Sequence, residues 1–92
     1  MIREDIREEI KELGFENSLL FDNPDFDDSI IGYTEDGQIV YNFDQMAIEY
    51  AQDTGCTLEE AVEFIEYNTL RALPYADSET RPIVIFNFMS NT

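Results

Sequence analysis

The 92-residue chain carries 21 acidic and 5 basic residues and no histidine, for a formal charge of -16. A chain so charged repels the phosphates of nucleic acid and of anionic membranes, which excludes both as direct partners. Its 43% apolar and 13% aromatic residues supply a core that a disordered acidic tail would lack.

This length suits one core, and the sequence is read as a single domain over residues 1–92. The start of the chain has no apolar leader pattern, and the longest apolar run near the C-terminus, Ile83 to Phe86, is far too short to span a bilayer. The lone cysteine, Cys56, cannot staple the fold, so a reducing, cytoplasmic setting is expected.

Ile2, Ile6, Ile10 and Leu13 recur at steps of four, four and three, the apolar stripe of an amphipathic helix over 2–13 that Gly14 would stop. Arg3, Arg7 and Lys11 form a second row among Glu4, Asp5, Glu8, Glu9 and Glu12, expected to support the solvent face through pairs within the helix. Periodicity is lost from Phe15 to Asp28, which reads as a loop with one short strand around Ser18–Phe21. Ser29–Thr34 and Gln38–Asn42 are rich in Ile, Val and Tyr and meet through Glu35-Asp36-Gly37, the signature of a hairpin. With Asp36 and Gly37 as a two-residue type I′ loop, Gly32 falls opposite Tyr41 and Tyr33 opposite Val40, and a ring would cover the strand glycine.

A second helix is expected over Asp44–Thr54, with Met46, Ala47, Tyr50 and Ala51 inward, a cap from Asn42 or Asp44, and Gly55 at its end. Thr57-Leu58-Glu59-Glu60 matches the capping box and opens a third helix. Its stripe of Leu58, Ala61, Val62, Ile65, Thr69 and Ala72 or Leu73 runs to Pro74, with Arg71 in the last turn complementing the helix dipole. Beyond a polar loop over Tyr75–Arg81, Pro82–Phe88 is apolar on both faces except at Asn87 and is expected as a central or well-covered strand. The whole predicts an α+β domain of order α-β-β-α-α-β, its helices packed mainly on one face of a three- or four-stranded sheet that contains an antiparallel hairpin.

The absence of histidine removes the commonest general base and rules out Ser-His and Cys-His chemistry. Cys56, just before a helix start, reads as a small residue in a helix–helix turn. The four scattered glycines form no phosphate cradle. Asp22, Asp25, Asp27, Asp28 and Ser29 resemble a hard-cation loop, but aligning Asp25, Asp27 and Ser29 as the first ligands sets Ile30 where the sharp-turn glycine belongs. The chain is therefore read as a non-enzyme without cofactor, and no metal ligand set is assigned.

What remains is the distribution of charge. From Glu12 to Leu70 there are 15 carboxylates and no Lys or Arg, so the field of this stretch reaches outward over a Debye length of about 8 to 10 Å. Glu59, Glu63 and Glu66 form a row beside Glu49 and Asp53, four apart on the preceding helix, and Asp25, Asp27 and Asp28 form a second cluster. These eight are the candidate partner-binding residues. Solubility alone calls for a net charge of only about 2 to 8 in a small domain, whereas a mimic of B-DNA needs about one charge per 1.7 Å. A polar-aromatic group, Tyr67, Asn68, Arg71 and Tyr75, reads chiefly as a structural clamp and secondarily as a partner anchor.

The segment Glu-Phe-Ile-Glu-Tyr-Asn-Thr-Leu-Arg-Ala-Leu-Pro-Tyr, Glu63 to Tyr75, resembles a set of short uncharacterised proteins from bacterial, prophage and phage genomes. The similarity continues in Phe21-Asp22-Asn23-Pro24 and in Ser29-Ile-Ile-Gly32 with its Asp-Gly turn, covering most of residues 21 to 86. It implies a shared fold and a mobile-element origin, and brings no activity with it. By size and charge alone, the chain also looks like phage-encoded DNA mimics such as the uracil-DNA glycosylase inhibitor and several anti-CRISPR proteins.

The expected function is thus an acidic inhibitor that covers a basic, nucleic-acid-binding surface of a bacterial protein such as a nuclease. The competing expectation is a small structural or regulatory module that self-associates as a homodimer through Phe86, Phe88 and Met89. A weak calcium-binding module is the third.

Overall fold

The computed structural model describes residues 6–22 and 24–87. Ile2, Arg3, Glu4 and Asp5 of the first expected helix, and Phe88 and Met89 of the expected interface, lie outside them.

Helix α1 spans Ile6–Glu12 and buries Ile10. It closes as a Schellman motif: the Phe15 amide donates to the Ile10 carbonyl at 3.2 Å and the Gly14 amide to the Lys11 carbonyl at 2.9 Å. Gly14 sits at φ +88°, a left-handed conformation that glycine adopts without a Cβ clash. The following chain forms no strand at Ser18–Phe21. Its backbone is pinned singly instead, the Leu19 amide donating to the Thr80 carbonyl at 2.9 Å and the Phe21 amide to the Tyr41 hydroxyl at 3.1 Å.

Strands β1 (Ile30–Tyr33) and β2 (Ile39–Asn42) form the antiparallel hairpin. The register differs from the expected one: Gly32 faces Val40 and Tyr33 faces Ile39, with a bulge between Ile30 and Gly32. The reason is the loop, which closes on Thr34 and Gln38. Thr34 donates to the Gln38 carbonyl, accepts from the Gly37 amide on its own carbonyl, and accepts from the Gln38 amide on Oγ1. Glu35-Asp36-Gly37 is thus a three-residue loop with Gly37 at φ +96°, not a two-residue one. A ring does cover a glycine, but it is Phe15 over Gly37, packed edge-on against Tyr33 at 5.1 Å.

Helix α2 (Phe43–Thr54) is capped by Asn42, whose side chain accepts from the Gln45 amide, and ends at Gly55. Helix α3 (Leu58–Phe64) opens with the complete capping box, Thr57 Oγ1 accepting from the Glu60 amide and Glu60 Oε1 from the Thr57 amide, each at 3.0 Å. It does not run on to Pro74 as one α-helix. Ile65–Thr69 widens to a π-helical turn and Leu70–Tyr75 tightens to 3-10 helix, with Pro74 inside the latter. Asn68 donates from Nδ2 to the Phe64 carbonyl at 3.1 Å, a side-chain insertion into the backbone ladder of the kind that distorts helices. Leu58, expected on the apolar stripe, is 54% exposed.

Strand β3 (Ile83–Ile85) pairs parallel to β2, giving a three-stranded mixed sheet of order β1-β2-β3. The central strand is therefore β2, and β3 is an edge, contrary to the expectation from its apolar run. The α2–α3 connection supplies the crossover that a parallel pair requires. The α+β class and the order α-β-β-α-α-β are those expected. One core gathers Ile39 and Tyr41 of β2 with Ile10 of α1, Met46 and Ala47 of α2, and Ala61 of α3, so the three helices share the Ile39/Tyr41 face of the sheet.

Candidate functional site

Glu49 lies midway along α2, half-buried, and its Oε1 accepts a 2.8 Å hydrogen bond from the hydroxyl of Ser29. Ser29 is fully buried and closes a 3-10 turn, Asp27–Ser29, that packs on α2. This contact brings the loop carboxylates to the helix. Burial pushes the Glu49 carboxyl above its ordinary range, the Ser29 bond opposes the shift, and the charges of Asp28, Asp25 and Asp53 add to it. Asp25, Asp28 and Asp53 are exposed. The candidate site is this four-carboxylate group, Asp25, Asp28, Glu49 and Asp53, assembled from a loop and a helix more than 20 residues apart.

The turn that aims the loop is built by Phe26. Its backbone is left-handed, at φ 54° and ψ 29°, which a bulky residue adopts only at a cost of about 1 to 2 kcal/mol. Near-complete burial of its ring, edge-on to Phe21 at 5.8 Å, offsets that cost. The Asp25 carboxylate accepts from the Asp27 amide at 3.0 Å and secures the reversal.

Asp27 stands apart from its neighbours. Its two oxygens accept from Arg7 Nε at 2.8 Å and Nη2 at 3.0 Å, and Nη2 also donates to the Phe21 carbonyl at 2.8 Å. Arg7, expected to serve pairs within its own helix, instead clamps the acidic loop, and it neutralises one of the candidate carboxylates. The hydrogen bond to Asp27 raises the guanidinium further above its already high range.

The remaining candidates lie elsewhere. Glu59 and Glu63 are exposed on α3, and Glu66 is exposed on the π turn. Tyr50 of α2 stacks on Phe64 at 4.3 Å, with planes 8° apart, and seals α2 to α3 on a side of the helix different from Glu49. Glu63 and Glu66 border an open hollow floored by Phe64 and Tyr67, next to Glu60, which the capping box uses. Thus Glu63 and Glu66 line a hollow whose wall does not include Glu49. In the polar-aromatic segment, the Arg71 guanidinium rests over the Tyr67 ring at 4.7 Å, while Tyr75 is 92% exposed.

Among the described residues no group of three or more Asp, Glu or Cys has the arrangement to hold a metal ion. No helix among them is long and apolar enough to cross a membrane. Comparison with protein-family models, with curated proteins and with solved structures finds no match for the chain.

Sequence reading found every member of the four-carboxylate group but not the group. Ser29, aligned above as a cation ligand, instead donates to Glu49, and Arg7, placed among pairs within its own helix, instead binds Asp27. The signal for Ser29 was a small polar residue directly after two aspartates and before an apolar strand, and Arg7 carried no signal beyond its charge.

Proposed function

We propose that this chain is a non-enzymatic binding protein that occupies a basic surface of a bacterial cytoplasmic protein, a surface that otherwise binds nucleic acid. The class is that of phage-encoded DNA mimics such as anti-CRISPR proteins, in keeping with the resemblance of Glu63–Tyr75 to short phage and prophage proteins. The observation that supports the reading is the Ser29–Glu49 hydrogen bond, which sets the loop of exposed Asp25 and Asp28 against α2, where exposed Asp53 stands one turn from Glu49. Like charges repel, and while Asp25 also secures its own loop, the Asp28 and Asp53 side chains make no hydrogen bond or ion pair among the described residues that would offset the repulsion. A Lys- or Arg-rich surface relieves that repulsion and releases its own counterions, as it would on a phosphate backbone. Glu59, Glu63 and Glu66 add to the long-range field that steers the encounter.

The test is affinity capture from bacterial lysate with salt-gradient elution, run in parallel with the chain carrying Asp25→Asn, Asp28→Asn, Glu49→Gln and Asp53→Asn. The expected result is a nucleic-acid-binding protein that the parent retains to higher salt than the variant, and whose binding to a nucleic-acid duplex the parent blocks. Equal retention by both, or a captured protein that still binds its duplex, would sink the reading.

A further inference from the structure

The two edges of the sheet are finished differently. At β1 the strand is broken by the bulge between Ile30 and Gly32, and Ile6, Ile10 and Leu13 of α1 line a groove with Ile30 and Ile31. Bulges and covering helices are the usual means by which a protein blunts an edge. Strand β3 has neither. Among the described residues nothing pairs with the side of β3 that faces away from β2. All Asp, Glu, Lys and Arg residues of the chain lie at or before Arg81, so the segment from Pro82 to Thr92 carries no charged side chain.

That absence of charge matters in a molecule of net charge -16. Two copies meeting almost anywhere else would oppose carboxylate to carboxylate, whereas at β3 they would meet on the one long uncharged stretch of the sequence. The side chains there are apolar. Ile85 is 38% exposed and Phe86 57% exposed, its ring held by stacking on buried Phe43 at 4.5 Å. By strand alternation Ile83 and Ile85 share the sheet face of Val40, opposite the core face of Tyr41 and Val84.

From the unguarded edge, the uncharged segment and the exposed Ile85 we infer that the chain forms a homodimer by antiparallel pairing of β3 with β3 of a second copy. A two-fold axis beside the strand would join the two three-stranded sheets into one of six, and Ile85 would pack across the seam. Glu49 and Asp53 belong to α2 and not to the pairing strand, so each copy brings its own pair to the dimer. The inference stands independently of the proposed function: self-pairing strengthens with salt as the repulsion between copies is screened, while capture of a basic partner weakens.

Sedimentation equilibrium decides it, run at about 0.1 M and about 1 M salt, between which the Debye length falls from about 10 to about 3 Å. The expected result is a species of twice the 10.7 kDa chain mass, with a dissociation constant at least several-fold higher at the lower salt. Ile85→Lys, at a partly exposed position, should return the protein to monomer with its helical circular dichroism intact. A monomer at both salts, or a dimer that Ile85→Lys leaves unchanged, overturns the inference. Should that variant fail to fold, amide exchange of the parent at Ile83–Asn87 takes its place: protection that rises with protein concentration is expected, and concentration-independent exchange overturns the inference equally.

Discussion

The Arg7 guanidinium grips the Asp27 carboxylate through two hydrogen bonds, at 2.8 and 3.0 Å, and so ties helix α1 to a loop 20 residues away. The pair is electrically neutral, which makes Asp27 a structural carboxylate in an otherwise outward-facing acidic loop. Arg7→Ala would strand both Asp27 and the Phe21 carbonyl in a half-buried setting and is expected to cost about 1 to 2 kcal/mol in urea denaturation. Replacing both partners, Arg7→Gln with Asp27→Asn, leaves the net charge unchanged. That double variant should lose stability yet elute from a captured basic partner at the parental salt, whereas Asp28→Asn alone should elute earlier.

The Ser29–Glu49 contact makes a prediction about pH. Glu49 has a folded-state pKa above its ordinary value, mainly because of burial. The folded chain therefore binds this proton more readily than the unfolded chain does, and stability from this group rises as pH falls through the raised pKa. Above it, the ionised Glu49 is a net burden, since burial and the charges of Asp28, Asp25 and Asp53 outweigh the Ser29 hydrogen bond. Glu49→Gln keeps an oxygen for the Ser29 hydroxyl and removes the charge. At pH 7 it should stabilise the fold by roughly a few tenths of a kcal/mol, the usual size of a like-charge term on a helix. The advantage should vanish as pH falls below 4.5, the ordinary value, which paired thermal melts from pH 7 to pH 4 will read.

The parts of the fold legible in the sequence are those decided by neighbours along the chain. The Thr57–Glu60 box, the Asn42 cap and the glycine ends at Gly14 and Gly55 each need only three to five residues, and each formed where the residues specify it. The hairpin was legible as a hairpin, but its register was not, because Asp36-Gly37 serves two loop lengths and the Thr34 hydroxyl decides between them. Phe15 reinforces that choice from outside: a Cβ on Gly37 would lie 2.9 Å from its ring. Within the π turn Asn68 donates to the Phe64 carbonyl, a side-chain contact that periodicity cannot register. The edge position of β3 followed from pairing order, since an apolar run looks the same at an edge as at the centre of a sheet. For the acidic site, composition named the carboxylates, but a buried serine brought Asp25 and Asp28 to Glu49, and a distant arginine withdrew Asp27.

Tyr41 offers the sharpest probe of how the loop is joined to the sheet. It is fully buried on the central strand, its ring 4.6 Å from that of Phe21, and its hydroxyl accepts the Phe21 amide hydrogen at 3.1 Å. Burial pushes its phenol up to about 12, although the Phe21 bond opposes the shift. Above pH 10 the unfolded chain releases this proton while the folded chain holds it, so stability is lost as pH rises from 10 towards 12, at up to about 1.4 kcal/mol per pH unit. Tyr41→Phe removes that dependence but leaves the Phe21 amide without its acceptor, a loss of about 1 kcal/mol. In urea denaturation the variant should be the weaker protein at pH 8 and should match or exceed the parent at pH 11. A constant difference between the two across that range would mean that the phenol titrates alike in the folded and unfolded chains.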